Sequence, residues 1–592
     1  MISIKPASGY SLVGGNTISL YLVATDRAGN TYTSDIIIEK NVYDTPTLSY
    51  TREYDYIMPN DNPYLLFTVK DSFGADRLFD IEVISGSLQE LEIIVYRITA
   101  EDKVGNKLDC EYTLEVIGYD ENGFLILPSK QIILGYNSTN TNVVIPKDVI
   151  AIDNDAFKDN KTIQFLTIHG NVKMIEESSF SGCTSLKNLS LSQGINTIGE
   201  RAFKGCINLT NVIIPDSVTS IGYDTFFGCS SLTEITLPFV GATKSGTNNT
   251  HLGYIFGASS VSTNNIYIPT SLKTIVITGG TSISSSAFYN CSSLKSVTIL
   301  DSVTSIGSYA FEGCTSLTEM TLPFVGQSIK ANSGYNQVFG YIFGYKTSKS
   351  ATISGATYQY SDSSYYHYYI PTSLKKVTIT SEDIPFKAFY NCNRLTNITI
   401  GDKVVNIGDY AFYNCSSLTD ITIPDGITSI GYYTFAYCSS LNSIEIPNEV
   451  TSIDNCAFYE CSSLSSIIIP DGVTSIGHNA FTNCINLSSV TLGANVKSIG
   501  SYAFYGCGFK SIVIPDGVTT IYSSAFSQCK SLRSIVIPKS ITIIDSYVFH
   551  NCTALMSIKY VGTSTEWAAI AKYDCWNYGA SSYTITYNYT DE

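Results

Sequence analysis

Leu441–Ser463, LNSIEIPNEVTSIDNCAFYECSS, is the stretch that decides the fold, because near-copies of it fill most of the chain after about residue 140. The cysteine of the phrase A-F-x-x-C marks the register of the copies. It recurs every 23 residues within each run, with one interval of 22. The thirteen register cysteines are Cys183, Cys206, Cys229, Cys291, Cys314, Cys392, Cys415, Cys438, Cys461, Cys484, Cys507, Cys529 and Cys552.

The repeat unit, numbered from its first leucine, is L-x-x-I-x-I-P-x-x-V-x-S-I-G-x-x-A-F-x-x-C-x-S. Positions 1, 4 and 6 are apolar, as in Leu418, Ile421 and Ile423, and the positions between them are polar. This pattern predicts a short strand with one buried edge. Proline at position 7 ends the strand because it cannot donate to a strand ladder. Positions 10, 13, 17 and 18 carry a second apolar arc, with a glycine turn at position 14.

A unit of this length cannot enclose a core alone, so successive copies must stack and bury each other's faces. The sequence therefore predicts a mainly β solenoid with a parallel sheet, to which each coil adds a strand at a spacing of about 4.8 Å. Strand starts occur at sixteen places from Ile163 to Leu555.

The repeated phrase resembles the BspA-type leucine-rich repeat, a family of bacterial and protozoan surface proteins, over roughly residues 141 to 560. The resemblance implies a leucine-rich repeat solenoid and a role in adhesion, since relatives of this type are associated with attachment to host matrix proteins, epithelium or other microbes. In this chain the cysteine lies just before the next strand, so the usual asparagine ladder is not assumed.

Composition indicates a folded chain that is too long for one compact core: 592 residues, 44% hydrophobic and 15% charged. The net charge of −16 argues against nucleic acid or an anionic membrane as a partner. Tyrosine is abundant, at 43 residues against 2 tryptophans. Tyrosine supplies amphipathic contact area that suits recognition surfaces.

Thirteen of the sixteen cysteines occupy one position of the repeat, so we expect a buried ladder of free thiols. Adjacent coils nevertheless lie within the distance that a disulfide can span. Cys110, Cys456 and Cys575 fall outside the register. Of these, Cys456, at position 16 of its unit, is the one expected to be exposed.

The first 118 residues lack the repeat. Thr17–Lys40 predicts two strands joined by a turn at residues 26 to 30, and a similar phrase recurs at Ile98–Val116. The shared A-x-D-x-x-G-N signature resembles the last hairpin of bacterial immunoglobulin-like modules. It implies an immunoglobulin-like β-sandwich over residues 42–118 and a partial module over residues 1–41. Asp26 and Asp102 in the two turns could hold calcium, but turn chemistry explains both.

The opening residues do not form a signal peptide, and no run of about 18 apolar residues predicts a membrane helix. Since a surface protein must be exported, we expect that the natural N-terminus is missing from this sequence.

The solenoid is expected to span residues 119–560, with insertions near 238–268 and 323–370 that share the phrases LPFVG, GYIFG and YIPTSLK. Phe256 and Phe343, in GYIFG, are expected to replace the repeat phenylalanine. Residues 561–592 predict a C-terminal cap, in which Thr563–Glu566 is a capping box for a short helix. A strand at residues 583–587 follows. The two tryptophans of the cap could instead stack on carbohydrate.

The second insertion is the predicted binding site, because rigid aromatic anchors among Ser, Gly, Asn and Thr are typical of a paratope. The alternative is a hairpin whose tyrosines pack on each other. His367, in the same insertion, is interpreted as a contact residue. The nine candidate residues are Tyr335, Tyr341, Tyr345, Tyr358, Tyr360, Tyr365, Tyr366, Tyr368 and Tyr369.

Threonines at position 5 of successive strands predict a wide, weakly charged second surface on which a partner could lie. Sheet propensity alone also accounts for these threonines. They are Thr236, Thr298, Thr321, Thr399, Thr422 and Thr491.

The sequence gives no indication of catalysis. The five histidines are far apart and lack the spacing of zinc ligands, and no phosphate loop or EF-hand loop occurs. Thiols in an Ile, Val and Phe core would be inert. We therefore expect no enzyme activity, no cofactor and no metal.

The function predicted from the sequence is that of a monomeric, adhesin-like binding protein, at the cell surface or secreted. Its partner would be a host or microbial surface protein or a glycan. Two alternatives remain: a structural spacer in a larger surface protein, or an accessory region of a glycan-active enzyme whose catalytic domain lies outside this sequence.

Overall fold

The computed structural model describes residues 2–6, 17–25, 31–39, 46–52, 56–58, 61–70, 74–86, 93–102, 105–329, 336–346, 356–360 and 367–590. The chain divides into two compact units, Met1–Ser138 and Thr139–Glu592. Within the ranges just given, no helix has the length and apolar character needed to cross a bilayer.

The first unit consists of antiparallel sheets, apart from one parallel pair. A three-stranded sheet opens the chain, and its two longer strands form the predicted hairpin, with Thr25 opposite Thr31. The turn between them, at residues 26 to 30, lies outside the described residues, and with it Asp26. The strands of the unit are Ile2–Pro6, Thr17–Thr25, Thr31–Glu39, Thr47–Tyr50, Tyr56–Ile57, Phe67–Lys70, Phe79–Ser85, Ile93–Glu101, Lys107–Val116, Phe124–Leu127 and Ile132–Tyr136, with a 3-10 turn at Pro63–Leu65.

Residues 46 to 116 share one core. It includes Ile57, Phe67, Ile98 and Leu114, each at most 2% exposed. The core lies between a two-stranded and a four-stranded sheet. At the second predicted hairpin, the Asp102 carboxylate accepts hydrogen bonds from the backbone N and the side-chain amide of Asn106, at 2.9 and 2.8 Å. Turn chemistry therefore accounts for this aspartate.

The second unit is the predicted solenoid. Its first row of strands is parallel and contains positions 3 to 6 of the repeat, with the apolar positions buried: Leu418, Ile421 and Ile423 are 0, 4 and 6% exposed. The predicted strand at Leu441 is the exception. Its apolar residues Leu441, Ile444 and Ile446 are buried, but residues 441–447 do not pair as a strand. The row comprises Asn142–Val144, Phe165–Ile168, Asn188–Leu191, Asn211–Ile213, Glu234–Leu237, Thr274–Ile277, Ser296–Ile299, Glu319–Leu322, Lys376–Ile379, Asn397–Ile400, Asp420–Thr422, Ser466–Ile468, Ser489–Thr491, Ser511–Val513, Ser534–Ile537, Ser557–Tyr560 and Thr584–Thr586.

A second parallel row is made by positions 12 and 13 of the repeat. Its strands are two residues long, and the buried isoleucine at position 13 belongs to the predicted second apolar arc. The row comprises Ala151–Ile152, Met174–Ile175, Thr197–Ile198, Ser220–Ile221, Ser282–Ile283, Ser305–Ile306, Ser429–Ile430, Ser452–Ile453, Ser475–Ile476, Ser498–Ile499, Thr520–Ile521, Ile543–Ile544 and Ala571–Lys572.

Glycine at position 14 follows this row because the preceding coil passes very close to it. A Cβ on Gly408 would lie 2.6 Å from the backbone N of Phe386, and one on Gly477 would lie 2.5 Å from that of Asn455. Both distances are shorter than carbon and nitrogen atoms tolerate. A side chain at these glycines would therefore push two coils apart.

The third side of each coil is a turn arc, positions 15 to 20, that is also hydrogen-bonded from coil to coil. The Phe180 N donates to the Ala202 carbonyl at 2.8 Å, and the Gly182 N to that of Lys204 at 2.6 Å. Beneath this arc the repeat phenylalanines stack: the ring centroids of Phe412 and Phe435 lie 5.3 Å apart at an interplanar angle of 8°. The buried phenylalanines therefore form an aromatic spine.

The two insertions leave the strand rows intact. Glu234–Leu237 pairs directly with Thr274–Ile277, and Glu319–Leu322 pairs with Lys376–Ile379. Each insertion fills the turn side with a 3-10 segment, Leu252–Phe256 or Phe339–Phe343. The remaining elements of the insertions are Val261–Thr263, Asn264–Tyr267, Tyr345–Lys346, Ala356–Tyr360 and His367–Pro371.

The predicted replacement of the repeat phenylalanine is confirmed. Phe256 and Phe343 are 0 and 2% exposed. Their ring centroids lie 6.4 Å from that of Phe226 and 6.2 Å from that of Phe311, respectively. The spine therefore continues into each insertion.

The C-terminal segment begins as predicted. Thr563 and Glu566 form a reciprocal capping box for the helix Ser564–Ala569. The residues after it form one more coil, because the Phe549 N donates to the Trp576 carbonyl at 2.7 Å and the Asn551 N to that of Tyr578 at 3.0 Å. The Trp576 ring closes the spine edge-on, 6.0 Å from Phe549.

Candidate binding surface

The register cysteines are buried, and their thiols are used within the spine. Each of eleven thiols lies 3.0–3.5 Å from the phenylalanine carbonyl of the preceding coil; Cys415 donates to Phe389 at 3.2 Å and Cys438 to Phe412 at 3.2 Å. All sixteen cysteines are free thiols, which confirms the prediction made for the thirteen register cysteines. Burial raises the pKa of Cys229 and of Cys438 to about 12. Thiols in this state keep their protons at neutral pH and are poor nucleophiles.

The turn arc presents its side chains in a fixed pattern. Positions 16 and 20 take left-handed backbone, as at Tyr410 and Asn414, with φ of 56 and 55°. In this coil the side chains at positions 15, 16 and 19 reach solvent, while Ala411, Phe412 and Cys415 are buried. We call this outward surface the turn face. Positions 16 and 19 recur in every coil and form two columns on it, in which small residues such as Ala436 and Cys456 are buried.

Seven tyrosines meet on the turn face of four successive coils, and we call them the tyrosine patch: Tyr390, Tyr410, Tyr413, Tyr432, Tyr433, Tyr437 and Tyr459. None of them is fully buried, and Tyr432 is 38% exposed.

The rings of the patch support each other. Tyr390 stacks on Tyr413, with ring centroids 4.7 Å apart, and Tyr410 stacks on Tyr433 at 5.0 Å. The ring of Tyr432 meets that of Tyr433 edge-on at 4.4 Å. The phenols are therefore held in place before a partner arrives, which lowers the entropic cost of binding.

A lysine ammonium already sits against these rings. The Lys387 Nζ lies 5.1–5.4 Å from the ring centroids of Phe386, Tyr390 and Tyr410. Burial lowers the pKa of Lys387. Cations are attracted to aromatic faces at this range. The rings at this edge of the patch therefore already contact a positive charge.

Beneath the patch lies Cys456, which the sequence predicted to be exposed. That prediction was wrong: Cys456 is 6% exposed. Its thiol shares a hydrogen bond with the Tyr433 hydroxyl from the preceding coil, and this bond, together with burial, raises the pKa of Tyr433. Burial raises the pKa of Tyr410 and of Tyr413 to about 12. Tyr410, Tyr413 and Tyr433 therefore present neutral phenols at physiological pH.

Two carboxylates adjoin the patch, Asp409 and Glu460, and a third, Asp454, lies near Asp409. The Asp409 Oδ1 accepts a hydrogen bond from the Tyr432 N at 2.8 Å. Glu460 lies close enough to Tyr459 and Tyr413 to raise the pKa of each, after the larger effect of burial. In the part of the chain that the structure describes, none of the three forms an ion pair.

The predicted candidate tyrosines lie partly elsewhere. Tyr341, Tyr368 and Tyr369 are buried, at 8, 0 and 8% exposed, so they pack inside the insertion, as does His367 at 6%. Tyr345 is half-buried, with its ring centroid 5.8 Å from that of Tyr368. Tyr335, Tyr365 and Tyr366 lie outside the described residues; for Tyr358 and Tyr360 the structure gives the backbone of one strand. For the buried residues the packing alternative applies.

The second insertion joins the turn face on both sides. On one side, the Tyr309 hydroxyl donates to the Tyr345 carbonyl at 3.0 Å. On the other, the Gln359 side chain accepts from the Gly340 N at 2.6 Å and donates to the Ala388 carbonyl at 2.8 Å. Ala388 follows Lys387, which contacts Tyr390 and Tyr410. The insertion is therefore hydrogen-bonded to the coil at the edge of the tyrosine patch.

The outer surface of the first strand row, which we call the strand face, carries the predicted threonines at position 5. Thr422 and Thr491 are exposed, and the other four are half-buried. Threonines at position 2 are tied into the sheet instead: the Thr419 hydroxyl donates to the Thr396 carbonyl of the preceding coil at 3.0 Å. The strand face is therefore available to a partner but lacks a cluster of aromatic anchors comparable to the patch.

The histidines have structural surroundings. His251 is buried, with its Nδ1 2.9 Å from the Asn264 Oδ1, and burial lowers the pKa of His251. The His478 Nδ1 accepts from the Ser501 N at 2.9 Å. Among the residues that the structure describes, no three His, Cys, Asp or Glu side chains come close enough to hold a metal ion.

The tyrosine patch was not predicted from the sequence, although a signal was present. Aromatic residues recur at position 16 (Tyr410, Tyr433, Tyr502) and at position 19 (Tyr390, Tyr413), each in a different copy. Comparing the variable positions between copies, rather than the constant ones, would have placed them in two columns on the same face.

Comparison with known proteins gives a family match. The family described as BspA type Leucine rich repeat region matches residues 135–249, 281–377, 361–487 and 451–578. No curated protein matches the sequence.

Solved structures similar to this chain include three bacterial proteins. A leucine-rich repeat protein from Bacteroides ovatus is 21% identical, with 92% of this chain and 99% of that chain covered and a TM-score of 0.29. A leucine rich cell surface protein from Faecalibacterium prausnitzii is 23% identical over 77% and 97%, with a TM-score of 0.26. The T. pallidum leucine rich repeat protein is 24% identical over 35% and 91%, with a TM-score of 0.25.

Proposed function

Since the chain belongs to the BspA-type leucine-rich repeat family, we propose that it is a non-catalytic binding protein of the bacterial cell surface, or a secreted one, and that it acts in adhesion. The leucine-rich repeat solenoid displays the binding surface, and the first unit serves as an immunoglobulin-like spacer. The partner is a surface protein or a glycan of a host or another microbe. The protein acts as a monomer and does not bind nucleic acid.

The observation that carries this proposal is the tyrosine patch. Its rings reach solvent, yet they are held by ring contacts and by a backbone that is hydrogen-bonded from coil to coil. Rigid phenols with hydroxyl groups at their tips are the side chains that recognition surfaces use most. Contiguous aromatic surface that is not needed for packing indicates an interaction site.

The absence of catalysis is part of the proposal. The buried thiols donate hydrogen bonds within the spine and keep their protons. The buried His251 is hydrogen-bonded to Asn264 inside the first insertion. These arrangements use the reactive side chains for structure, and they support a role in which the surface alone meets other molecules.

The test is a binding screen of the full chain against matrix proteins and glycan arrays, repeated with a patch variant. We choose Tyr410→Asn, Tyr432→Ser and Tyr433→Asn together, because asparagine tolerates the left-handed backbone at position 16. The matched control is Tyr502→Asn, Tyr522→Ser and Tyr547→Asn, three tyrosines with 41–44% exposure outside the patch. The patch variant is expected to lose at least about tenfold in affinity for any partner found, whereas the control keeps it.

A separate variant tests the insertion. Tyr365→Ser with Tyr366→Ser removes two of the candidate tyrosines without touching the patch. If this change abolishes binding while the patch variant binds normally, the insertion and not the patch is the site. Equal binding by all variants would point to the strand face instead.

A further inference from the structure

The carboxylates beside the tyrosine patch lack the ion pairs that carboxylates of the earlier coils form on the same face. In the earlier coils, Lys158 pairs with Asp155 at 2.9 Å and Arg201 with Glu177 at 2.8 Å. Lys204 lies 3.4 Å from Asp224. Asp409 and Glu460 adjoin tyrosines in place of such cations, and Asp454 lies near Asp409. One end of the turn face is thus internally neutralised, and the patch is not.

The phenols and carboxylates of the patch favour a positive ligand. Phenol oxygens accept hydrogen bonds, aromatic faces are electronegative, and carboxylate oxygens are hydrogen-bond acceptors. Lys387 shows that the rings accommodate an ammonium group, which lies within 5.4 Å of three ring centroids.

From this charge complementarity we infer that the tyrosine patch docks a basic segment of a protein partner, through its arginine and lysine side chains. The inference rests on the proposed function and specifies its partner. Arginine suits the site because its planar guanidinium stacks on aromatic rings and donates to carboxylates at the same time. A neutral glycan would leave three carboxylates without counter-charges, and an anionic one would be repelled.

The dimensions of the patch set the length of the segment. The tyrosines span four coils, and coils are spaced about 4.8 Å apart, so the patch is roughly 15 Å long. An extended chain advances about 3.3 Å per residue, so about five residues cover it. The net charge of −16 would also draw a basic segment toward the protein at long range.

The experiment measures fluorescence anisotropy of labelled short peptides with the full chain. One peptide alternates arginine with serine, and the comparison peptide alternates glutamate with serine. We expect the arginine peptide to bind and the glutamate peptide not to bind. Raising the salt from about 50 to about 300 mM should weaken the binding several-fold, because the patch is exposed and its charges are screened.

Two variants with equal changes in net charge separate the patch from general attraction. The patch variant carries Asp409→Asn, Asp454→Asn and Glu460→Gln, and asparagine at 409 can still accept the hydrogen bond from the Tyr432 N. The control carries Asp155→Asn, Glu177→Gln and Asp224→Asn on the same face. The inference requires a loss of at least about tenfold in the patch variant and under about twofold in the control.

Equal losses in both variants, or equal binding of both peptides, would overturn the inference. So would a partner from the screen that is a neutral glycan and is lost in the tyrosine variant. In that last case the proposed function stands and the basic partner is rejected, so the two proposals fail by different results.

Discussion

At the scale of single residues, the cysteine at position 21 combines two properties. Alanine and serine, the residues of similar size, each have only one of them. The cysteine side chain is small and apolar enough for the spine, and its thiol donates to a carbonyl of the preceding coil, as Cys461 does to Phe435 at 3.1 Å. Alanine would fit but not donate, and serine would donate but bury a more polar group. This explains why one residue type recurs in nearly every coil.

The burial of the thiols predicts their reactivity. In the folded chain, a thiol reagent at pH 8 is expected to label Cys575 quickly and the half-buried Cys110 more slowly. The other fourteen should react only in denaturant, since they are buried. Mass spectrometry of the labelled peptides measures this. Fast labelling of register cysteines in the native protein would contradict the buried ladder.

The raised pKa values predict a loss of stability in alkali. Burial raises the pKa of Cys183, Cys229 and Cys552 to about 12, against about 8.5 for an unfolded thiol. Above pH 8.5 the unfolded chain therefore loses protons that the folded chain keeps, and the free energy of unfolding falls. Each such thiol removes up to about 1.4 kcal/mol per pH unit until its folded pKa is reached.

Urea unfolding at pH 7, 8.5 and 10.5 measures this effect, with a steep decrease expected above pH 8.5. Buried tyrosines titrate in the same direction, so a variant isolates the thiol contribution. Cys438→Ala with Cys461→Ala should be less stable at pH 7 but depend less steeply on pH. Identical slopes for the two proteins would show that the thiols do not cause the decrease.

At the scale of the element, the turn arc is held by the phenylalanine spine. Phe412 is 0% exposed and stacks on Phe389 and Phe435, with ring centroids 5.6 and 5.3 Å away. Removing its ring would interrupt two stacks and leave a cavity that neighbouring coils, fixed by their hydrogen bonds, can only partly fill.

Phe412→Ala is therefore expected to lower the free energy of unfolding by about 3–5 kcal/mol. Phe386→Ala serves as the control, because Phe386 is 45% exposed at the edge of the patch. It should cost less than about 1 kcal/mol. Thermal and urea unfolding followed by circular dichroism compare the two, and similar losses would mean that the spine does not govern stability.

The apolar features of the coil could be predicted from the sequence because they repeat. Leu418, Ile421 and Phe412 occur in nearly identical phrases, so their period revealed the rows and the spine. The final coil could not be predicted in this way, because its hydrogen bonds use the backbone of Trp576 and Tyr578, whereas the Ala, Phe and Cys signature is lost there.

The surface was harder to predict for a related reason. Tyr390, Tyr413 and Tyr433 are 20 or more residues apart in sequence and meet only because coils stack in register. The dense tyrosines of the second insertion were more conspicuous, yet Tyr368 is fully buried. Cys456 was expected to be exposed from its repeat position, but the large Tyr433 side chain of the preceding coil reaches over it.

At the scale of the whole molecule, the solenoid is a row of interchangeable units, since each coil contacts mainly its neighbours. Deleting residues 187–209 joins Leu186 to Thr210 in register and removes one whole coil. We expect this variant to fold, with a similar circular dichroism signal per residue and a modest decrease in the free energy of unfolding.

The control is a deletion that starts at the same residue but is shorter than one repeat unit. Removing only residues 187–197 joins a strand to the middle of a coil and puts polar residues at core positions. It should yield aggregated or unfolded protein, as judged by circular dichroism and size-exclusion chromatography. If both deletions behaved alike, register along the array would not determine folding.

The left-handed residue at position 16 has a consequence for how such a protein changes over time. Its backbone is fixed by the coil, yet its side chain is Arg201 in one coil, Ser286 in another and Tyr410 in a third. Duplicating or exchanging whole coils can thus rewrite the outer surface while the interior stays the same. A lineage built on this plan can acquire new binding preferences by recombination, without first having to evolve a new scaffold.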